Sequence, residues 1–594
     1  MTTKTLPPWA GVSASAWANE SKAVLLTDMG RCLPSSAFAP KLKKGAWKVV
    51  PYEAETFAGN MVWACGDAGA PTLTLPLGAS GWQALFIGLY ATNLTPSYAW
   101  LKLEGEKAPT PVASSKGPNY FWIQEIFWKV AELKPGQGLQ INQAPNCLLP
   151  AAGCGLAYVK TIPLSDAEIA GYCADRANFT TRRVAVTCDH ASFMQALRPT
   201  TAEAVLSELE MFRNTDAKTL LLHVGGSDQV CYPSRYGTMM GQAQDSFADH
   251  GQRCQADSMR ELARKKINPT KVLIDGAHDL GLKVHMGFRP ALWSYYEPYT
   301  DFFDSAFFKQ HPEWRMADRD GASVARMSWA VPEVRRHLLD VLGEAIGFGA
   351  DGAHIVFNRS MPVTLYEPAF CAQFQAEHNL DPRGLEDSDP RIIQARSDII
   401  TTFMRELRCV LDEETHRRAD GKRLEISLCT LGCEEDNLQY GLDLRRLAKE
   451  RLIDEVYPSM HRFDFGATKY KHDMEGAWDL DFFMDACGQN SVPVFPVISC
   501  SGVGHPNYYP YATFIKMGLD NYAKGAAGIC FWDPSVVSNH DQAPHEYWKI
   551  TSRFGHVDEL QAREGLQLSK PVYLKLRRLG EHCLDGRLPI WGGG

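Results

Sequence analysis

The pattern of apolar and polar positions changes near residue 178. Before that point, segments rich in Gly, Pro, Asn and Ser separate short apolar runs at 72–77, 82–90, 98–103 and 156–162. Short strands divided by turn residues at this spacing are typical of a β-sandwich. We therefore predict that residues 1–178 form a β-sandwich accessory domain.

From about residue 183 onward, apolar runs alternate with longer amphipathic segments that have helical periodicity. The runs with the length of buried strands are 184–188, 219–224, 283–288, 353–357, 424–429, 454–460, 492–499 and 528–532. Strands that alternate with helices predict a parallel sheet, and eight of them favour an α/β fold of the TIM (β/α)8 type over residues 179–594. The number of strands alone also permits a doubly wound sheet.

Composition narrows the expected partners. The chain has 594 residues, 45% of them hydrophobic and 22% charged, with a formal net charge of -8. This charge gives no reason to expect nucleic acid or an anionic membrane as a partner, and neutral ligands suit it better. A homo-oligomer is compatible with this composition.

The cellular location follows from two further features. No apolar run has the length of a membrane span, and the first residues lack a secretory signal. Many of the 16 cysteines lie in apolar runs, which is typical of reduced core thiols. We expect a cytoplasmic protein, or a secreted one whose signal has been removed.

Polar and aromatic side chains follow the predicted strands, where an α/β barrel carries its chemistry. Carboxylates, Arg, His and Asn suit sugar hydroxyls, while Trp and Tyr stack on the apolar faces of sugars. This inventory predicts a carbohydrate substrate. The candidate substrate-binding residues are His190, His223, Arg289, Trp293, Tyr296, His354, Asn358, Arg359, Glu434, His461 and Trp532.

The segment that leads into the fourth predicted strand resembles the glycoside-hydrolase-like family-ten barrels, clearly only over about 183–454. The motifs that carry the resemblance are His311-Pro312-Glu313-Trp314, Asp320-Gly321, Trp329, Pro332-Glu333-Val334-Arg335 and Asp351-Gly352-Ala353-His354. The resemblance implies a sugar-acting barrel. Val356 stands where the family usually has a second Asp, so that carboxylate cannot be carried over.

Glycoside cleavage ordinarily needs two carboxyl groups. We expect Glu367, just past the fourth strand, to be the general acid, with Asp533 or Asp189 as its partner. Each also has a structural interpretation: Glu367 as the start of a helix, Asp533 as a turn residue and Asp189 as a helix N-cap.

Two other functions stay open. Without a family carboxylate at Val356, the chain is also consistent with a carbohydrate-binding barrel that lacks catalysis. His190, His223, His285 and His354 lie on or just past predicted strands, so a metal-dependent sugar isomerase or lyase is the second alternative. The spacing of these residues does not specify a metal site, and we expect no cofactor.

Overall fold

The N-terminal region is built from antiparallel strands. The computed structural model describes residues 6–11, 14–66, 69–92, 96–115, 117–118, 120–143, 153–359, 361–459, 478–499, 511–534, 548, 551–564 and 571–584. The N-terminal strands are β1 (Val24–Leu26), β2 (Lys48–Ala54), β3 (Ala58–Ala64), β4 (Leu73–Pro76), β5 (Gly81–Ala91), β6 (Tyr98–Leu103), β7 (Thr110–Ala113), β8 (Trp122–Leu133), β9 (Gly138–Gln143) and β10 (Cys154–Pro163).

The remaining strands begin after the first long helix. They are β11 (Val184–Asp189), β12 (Ala217–His223), β13 (Gln229–Val230), β14 (Thr238–Met239), β15 (Lys283–Phe288), β16 (Arg315–Ala317), β17 (Ser323–Met327), β18 (Gly352–Val356), β19 (Glu425–Thr430), β20 (Glu455–Pro458), β21 (Val497–Ser499), β22 (Ile529–Trp532), β23 (Val572–Leu579) and β24 (His582–Cys583).

Helices lie between most of these strands, as the amphipathic pattern predicts. They are α1 (Asp166–Ala177), α2 (His190–Leu197), α3 (Ala202–Leu206), α4 (His250–Arg264), α5 (Pro269–Asp279), α6 (Thr300–Phe303), α7 (Ala306–Gln310), α8 (Pro332–Ile346), α9 (Pro368–His378), α10 (Pro390–Arg417), α11 (Glu434–Gln439), α12 (Leu444–Lys449), α13 (Leu480–Ala486), α14 (Tyr511–Ala523) and α15 (Val557–Arg563).

Parallel strands form a nearly closed, TIM-barrel-like sheet. In the described part of the chain its order is β20-β19-β18-β15-β12-β11-β22-β21. Single parallel bridges, Val456 to Val494 and Ser459 to Val497, link the two ends of this order. Every residue of β18 is buried, as expected for a parallel strand that is covered on both faces. The predicted eight-stranded barrel is therefore confirmed, and the doubly wound sheet is not observed.

The N-terminal strands form two antiparallel sheets. β4, β9, β6 and β7 make the smaller sheet, and the larger one runs β1-β10-β3-β2-β23-β8-β5. β5 also pairs with β10, so the larger sheet curls back on itself. Leu75, Leu101 and Ile141 of the smaller sheet share a buried cluster with Ile87 and Ile126 of the larger.

The C-terminal strand β23 crosses from the barrel back to the N-terminal region. It pairs antiparallel with β2 on one edge and with β8 on the other. Its Leu576 is fully buried among N-terminal residues. The sequence pattern assigns all of 179–594 to the barrel, whereas 572–583 complete the N-terminal sheet.

A buried charge cluster, which we call the His556 cluster, joins α1 to the barrel. Its members are Asp175, Asp216, Arg553, His556 and Glu559. His556 donates from Nδ1 to Asp216 and from Nε2 to Asp175, at 2.7 Å each. Arg553 donates to Asp175 at 3.0 Å and to Glu559 at 2.9 Å. Each charged group therefore meets an opposite charge.

Two simple observations complete the fold. Among the described residues, no helix combines the length and the apolar character that crossing a membrane requires. Every cysteine that the structure describes is free, and several, such as Cys188 and Cys530, are buried as the sequence predicts.

Candidate active site at the barrel mouth

The carboxyl ends of five neighbouring strands, β22, β11, β12, β15 and β18, carry a set of polar side chains that we call the mouth cluster. In a parallel barrel these ends face the same side of the sheet, so residues far apart in sequence converge there. The members of the mouth cluster are Thr187, Asp189, His223, Arg289, Arg359 and Asp533.

Asp189 has a structural and an electrostatic role. Its carboxylate caps α2, accepting from the Ser192 hydroxyl at 3.0 Å, as the N-cap interpretation predicts. It also faces Arg289, whose Nη2 lies 3.7 Å from Oδ2. Burial raises the pKa of Asp189, but the Arg289 charge and the Ser192 hydrogen bond contribute to lowering it below its usual value. The carboxylate is therefore ionised at neutral pH.

Asp533 is held in an uncommon conformation at the end of β22. Its φ is 47°, in the left-handed region that residues other than glycine seldom adopt. The Thr187 hydroxyl accepts from the Asp533 N–H at 2.8 Å and donates to its Oδ1 at 3.1 Å. Burial, followed by the Asp189 charge, raises the pKa of Asp533 to about 6. Asp533 therefore holds its proton to a much higher pH than Asp189.

His223 is a neutral, buried group in the same cluster. Its side chain packs between His354 and Trp532, with ring centroids 5.7 and 5.2 Å away. Gly287 makes room for it, because a Cβ there would lie 2.3 Å from His223 Cδ2. Burial, followed by the Arg289 charge, lowers the pKa of His223 to about 3. Neither ring nitrogen has a hydrogen-bond partner among the described residues.

Two arginines bring positive charge to the mouth. Arg289 follows β15 and is only 16% exposed, and its Nε has no hydrogen-bond partner in the described part of the chain. Arg359 follows β18, with its guanidinium 5.9 Å from the Trp532 ring centroid. The Arg289 charge, and then burial, lower the pKa of Arg359 to about 10. Both groups remain charged at neutral pH.

Below the mouth, polar side chains continue into the barrel interior. The Ser427 hydroxyl lies 2.9 Å from His354 Nδ1 and 2.8 Å from His285 Nδ1. Asn358 donates to the Ser459 hydroxyl at 2.9 Å. His354 and Asn358, which the sequence predicts as substrate ligands, are thus engaged inside the barrel and support the residues above them.

Glu367, the acid expected from the sequence, lies outside the mouth cluster. It is 1% exposed and precedes α9. Its Oε1 accepts from the hydroxyls of Ser328 and Thr364, and its Oε2 accepts from the Leu365 N–H at 3.0 Å. These bonds satisfy both oxygens and tie the loop after β18 to the segment after β17. The contacts are those of a structural residue.

Four other predicted site residues also lie apart from the cluster or below its surface. Trp293 is fully buried against Phe307, so it is a core residue rather than a sugar platform. Glu434 is on the surface and pairs with Arg445 at 2.7 Å. His190 is buried, and its Nδ1 lies 2.6 Å from Glu208. Trp532 is 2% exposed and forms part of the floor.

The surface aromatics follow β15. Tyr296 is 65% exposed, and its ring centroid lies 4.5 Å from that of Tyr295, which is 40% exposed. Tyr295 also influences Arg359 electrostatically, which puts the pair beside the mouth. His461 lies outside the described residues. Thr187, which positions Asp533, is missed by sequence reasoning because it precedes the strand end and resembles any β-branched strand residue.

One group of potential metal ligands lies at the opposite end of the barrel. Within the described residues, a nitrogen of His285 and carboxylate oxygens of Glu425 and Glu455 come within 4.8 Å of one another. The Lys283 ammonium lies between the carboxylates and donates to both, at 2.6 Å to Glu455. This lysine already supplies the positive charge that a metal would bring.

Comparisons with known proteins find similarity at the level of structure alone. No family model and no curated protein sequence matches this chain. α-L-Fucosidase isoenzyme 2 from Paenibacillus thiaminolyticus has 14% identity and a TM-score of 0.39, with 65% of this chain and 50% of that chain covered. The chain thus spans about half the length of that enzyme.

Two further structures are similar over most of their own length. The PgaB (BpsB) glycoside hydrolase domain from Bordetella bronchiseptica has 13% identity and a TM-score of 0.40, with 61% of this chain and 96% of that chain covered. The β-amylase catalytic domain from Paenibacillus polymyxa has 9% identity and a TM-score of 0.37, with 64% and 98% covered. These neighbours are glycoside hydrolases, but at such scores they identify neither substrate nor mechanism. The family-ten resemblance stays a prediction.

Proposed function

We propose that this chain is a glycoside hydrolase in which Asp533 is the general acid and Asp189 the ionised carboxylate that acts with it. One observation carries the proposal: two carboxyl groups on the neighbouring strands β22 and β11 have their pKa values moved in opposite directions. Glycoside hydrolysis needs such a pair, one carboxyl protonated and one ionised.

The residues around the pair fit these roles. Asp533, with a pKa of about 6, donates its proton to the glycosidic oxygen as the bond breaks. Asp189 either attacks the anomeric carbon or removes a proton from the attacking water. The Thr187 hydroxyl orients the acid, and Arg289 keeps Asp189 ionised. Neutral His223 is available to bond a sugar hydroxyl.

The exposed rings of Tyr295 and Tyr296 support a sugar as the substrate. Stacked aromatic faces at the edge of a polar site bind the C–H surfaces of a pyranose. They are equally suited to a barrel that binds sugars without cleaving them. Because the acid pair is the feature that such a binder would not need, it favours the hydrolase.

Other finer assignments are part of the same proposal. We infer that residues 1–178 form a sandwich-like accessory domain beside a catalytic barrel. The two antiparallel sheets and their shared buried cluster support this inference. The contact of Tyr98 and Trp100 with the barrel core favours an accessory role in shaping the barrel rather than an independent module.

The test is Asp533→Asn, assayed on natural oligosaccharides and on aryl glycosides. Asn tolerates the left-handed backbone at this position better than Ala does, so the fold is preserved. We expect activity on natural oligosaccharides to fall about 10²–10⁴-fold, with much of it retained on aryl glycosides whose leaving group needs no proton. The matched control is Glu434→Gln, which removes a surface carboxylate. Wild-type activity of Asp533→Asn on a natural substrate would remove Asp533 as the acid.

A further inference from the structure

The charges of the mouth cluster point to the chemistry of its ligand. Arg289 and Arg359 follow the adjacent strands β15 and β18. Asp189 and Asp533 follow β11 and β22, on the other side of His223. Each arginine influences both carboxyl groups electrostatically. The four charged groups therefore share one site.

Arg289 has bonding capacity that the described residues leave unused. Its guanidinium lies 3.7 Å from Asp189, beyond normal hydrogen-bond distance, and its buried Nε has no acceptor there. A guanidinium removed from water loses free energy unless it is paired. Arg289 is thus oriented by Asp189 without being saturated by it, and it can accept a ligand with two acceptor oxygens.

The proposed mechanism makes this imbalance larger. While Asp533 holds its proton as the general acid, Asp189 is the ionised carboxylate of the four groups, and it faces two guanidinium ions. A neutral sugar leaves that excess positive charge in place, whereas an anionic sugar cancels it. His223 is neutral and adds nothing to the balance.

From this arrangement we infer that the substrate is an acidic sugar, a glycoside whose ring carries a carboxylate, and that Arg289 binds this carboxylate with Arg359 as the second positive charge. The inference rests on the proposed function. A carboxylate is preferred over a sulfate ester because its two coplanar oxygens match the planar fork of a guanidinium.

The experiment measures binding separately from turnover. Asp533→Asn is titrated calorimetrically with uronic acid oligosaccharides, with their neutral parent sugars, and with sulfated sugars of the same ring configuration. We expect the uronates to bind at least about tenfold more tightly than the neutral parents. Equal affinity for uronate and neutral sugars, or tighter binding of the sulfated ones, would overturn the inference.

Arginine variants assign the effect. Arg289→Gln, made in the Asp533→Asn background, is expected to reduce the preference for uronates to less than about threefold, while Arg289→Lys keeps part of it. The control is Arg391→Gln, because Arg391 forms an exposed pair with Asp389. If Arg289→Gln fails to fold by circular dichroism, Arg359→Gln takes its place. A full preference in the folded variant would overturn the assignment.

The two proposals fail in different ways. Uronates that bind tightly but are not cleaved by the wild-type protein contradict the hydrolase and leave the acidic ligand standing. Neutral oligosaccharides that are cleaved, in a protein that does not prefer uronates, contradict the acidic ligand and leave the hydrolase standing.

Discussion

The mouth cluster and the His556 cluster are both buried groups of charge, yet their bonding differs. In the His556 cluster each ion meets an opposite charge at 2.7–3.0 Å, as between His556 and Asp216 or Arg553 and Asp175. In the mouth cluster the closest printed ion pair, Arg289 with Asp189, spans 3.7 Å, and the ring of His223 bonds to nothing in the described chain.

The pKa values follow the bonding. Burial lowers the pKa of His556, but its hydrogen bonds to Asp175 and Asp216 outweigh burial and raise it to about 9. In the mouth, the groups are displaced toward their neutral forms: the pKa of Asp533 rises to about 6 and that of His223 falls to about 3. Saturated charge stabilises a fold, whereas unsaturated buried charge is typical of a site that waits for a ligand.

The largest expected effect comes from Asp189→Asn. Asn still caps α2, so the helix start is kept. The charge that complements the acid is lost, and we expect activity on every glycoside to fall about 10²–10⁴-fold, with little change in the free energy of unfolding. Kinetics and urea denaturation of the same sample measure both. Retention of more than half the activity would place the catalytic carboxylate elsewhere.

His556→Leu is expected to do the opposite. It leaves Asp175 and Asp216 without their shared partner at the junction of α1 and the barrel. Breaking a buried pair in this way costs about 3 kcal/mol of unfolding free energy. Activity per folded molecule should stay within about twofold of the wild type. A variant as stable as the wild type would show that the His556 cluster is not a staple of the fold.

The two clusters also predict separate responses to pH. Activity should decline about tenfold per pH unit above about 6, as Asp533 loses its proton, and should decline again in acid below the usual aspartate range, as Asp189 gains one. The kcat/KM profile of the wild type measures both limbs. An alkaline limb that begins above pH 8 would contradict Asp533 as the acid.

Stability should respond at a different pH. Because the pKa of His556 is raised in the folded state, its contribution is complete below about 6.5 and is lost as the pH rises through about 9. Urea denaturation between pH 6 and pH 10 should show this decline in the wild type and a smaller one in His556→Leu. Parallel curves for the two proteins would exclude His556 as its source.

The smallest effect is expected at the rim. Tyr296→Ala removes an exposed ring that stacks on Tyr295, and we expect KM for oligosaccharides to rise about 2–10-fold with kcat unchanged. Trp293→Phe is the matched control, because Trp293 is a core residue with no surface in the mouth. An equal change in KM in both variants would indicate a general loosening rather than a lost platform.

Apolar runs made the barrel predictable, since a strand covered on both faces leaves a clear signal. The run predicted at 283–288 coincides with β15, and the other barrel strands overlap their predicted runs. Asp189, Asp533 and Arg289 were found because each directly follows such a run. For residues at the strand ends, position in sequence was enough.

The other assignments depend on contacts that sequence does not show. Glu367 and Trp293 have the right residue types near strand ends, but hydroxyls from a neighbouring segment saturate one and aromatic packing buries the other. Thr187 gives no signal of its own because its role comes from Asp533, which is 346 positions away. The pairing of β23 with β2 and β8 depends on a partner that is equally remote.

That pairing has a consequence for synthesis on the ribosome. β2 and β8 are made early, and β23, which lies between them, follows β8 by about 440 residues, which is roughly 20 to 90 s at about 5–20 residues per second. Throughout that interval both strands present open edges that other chains can pair with. The nascent protein is therefore most exposed to aggregation while its barrel is being translated, and holding the N-terminal sheet open until then is a task for chaperones.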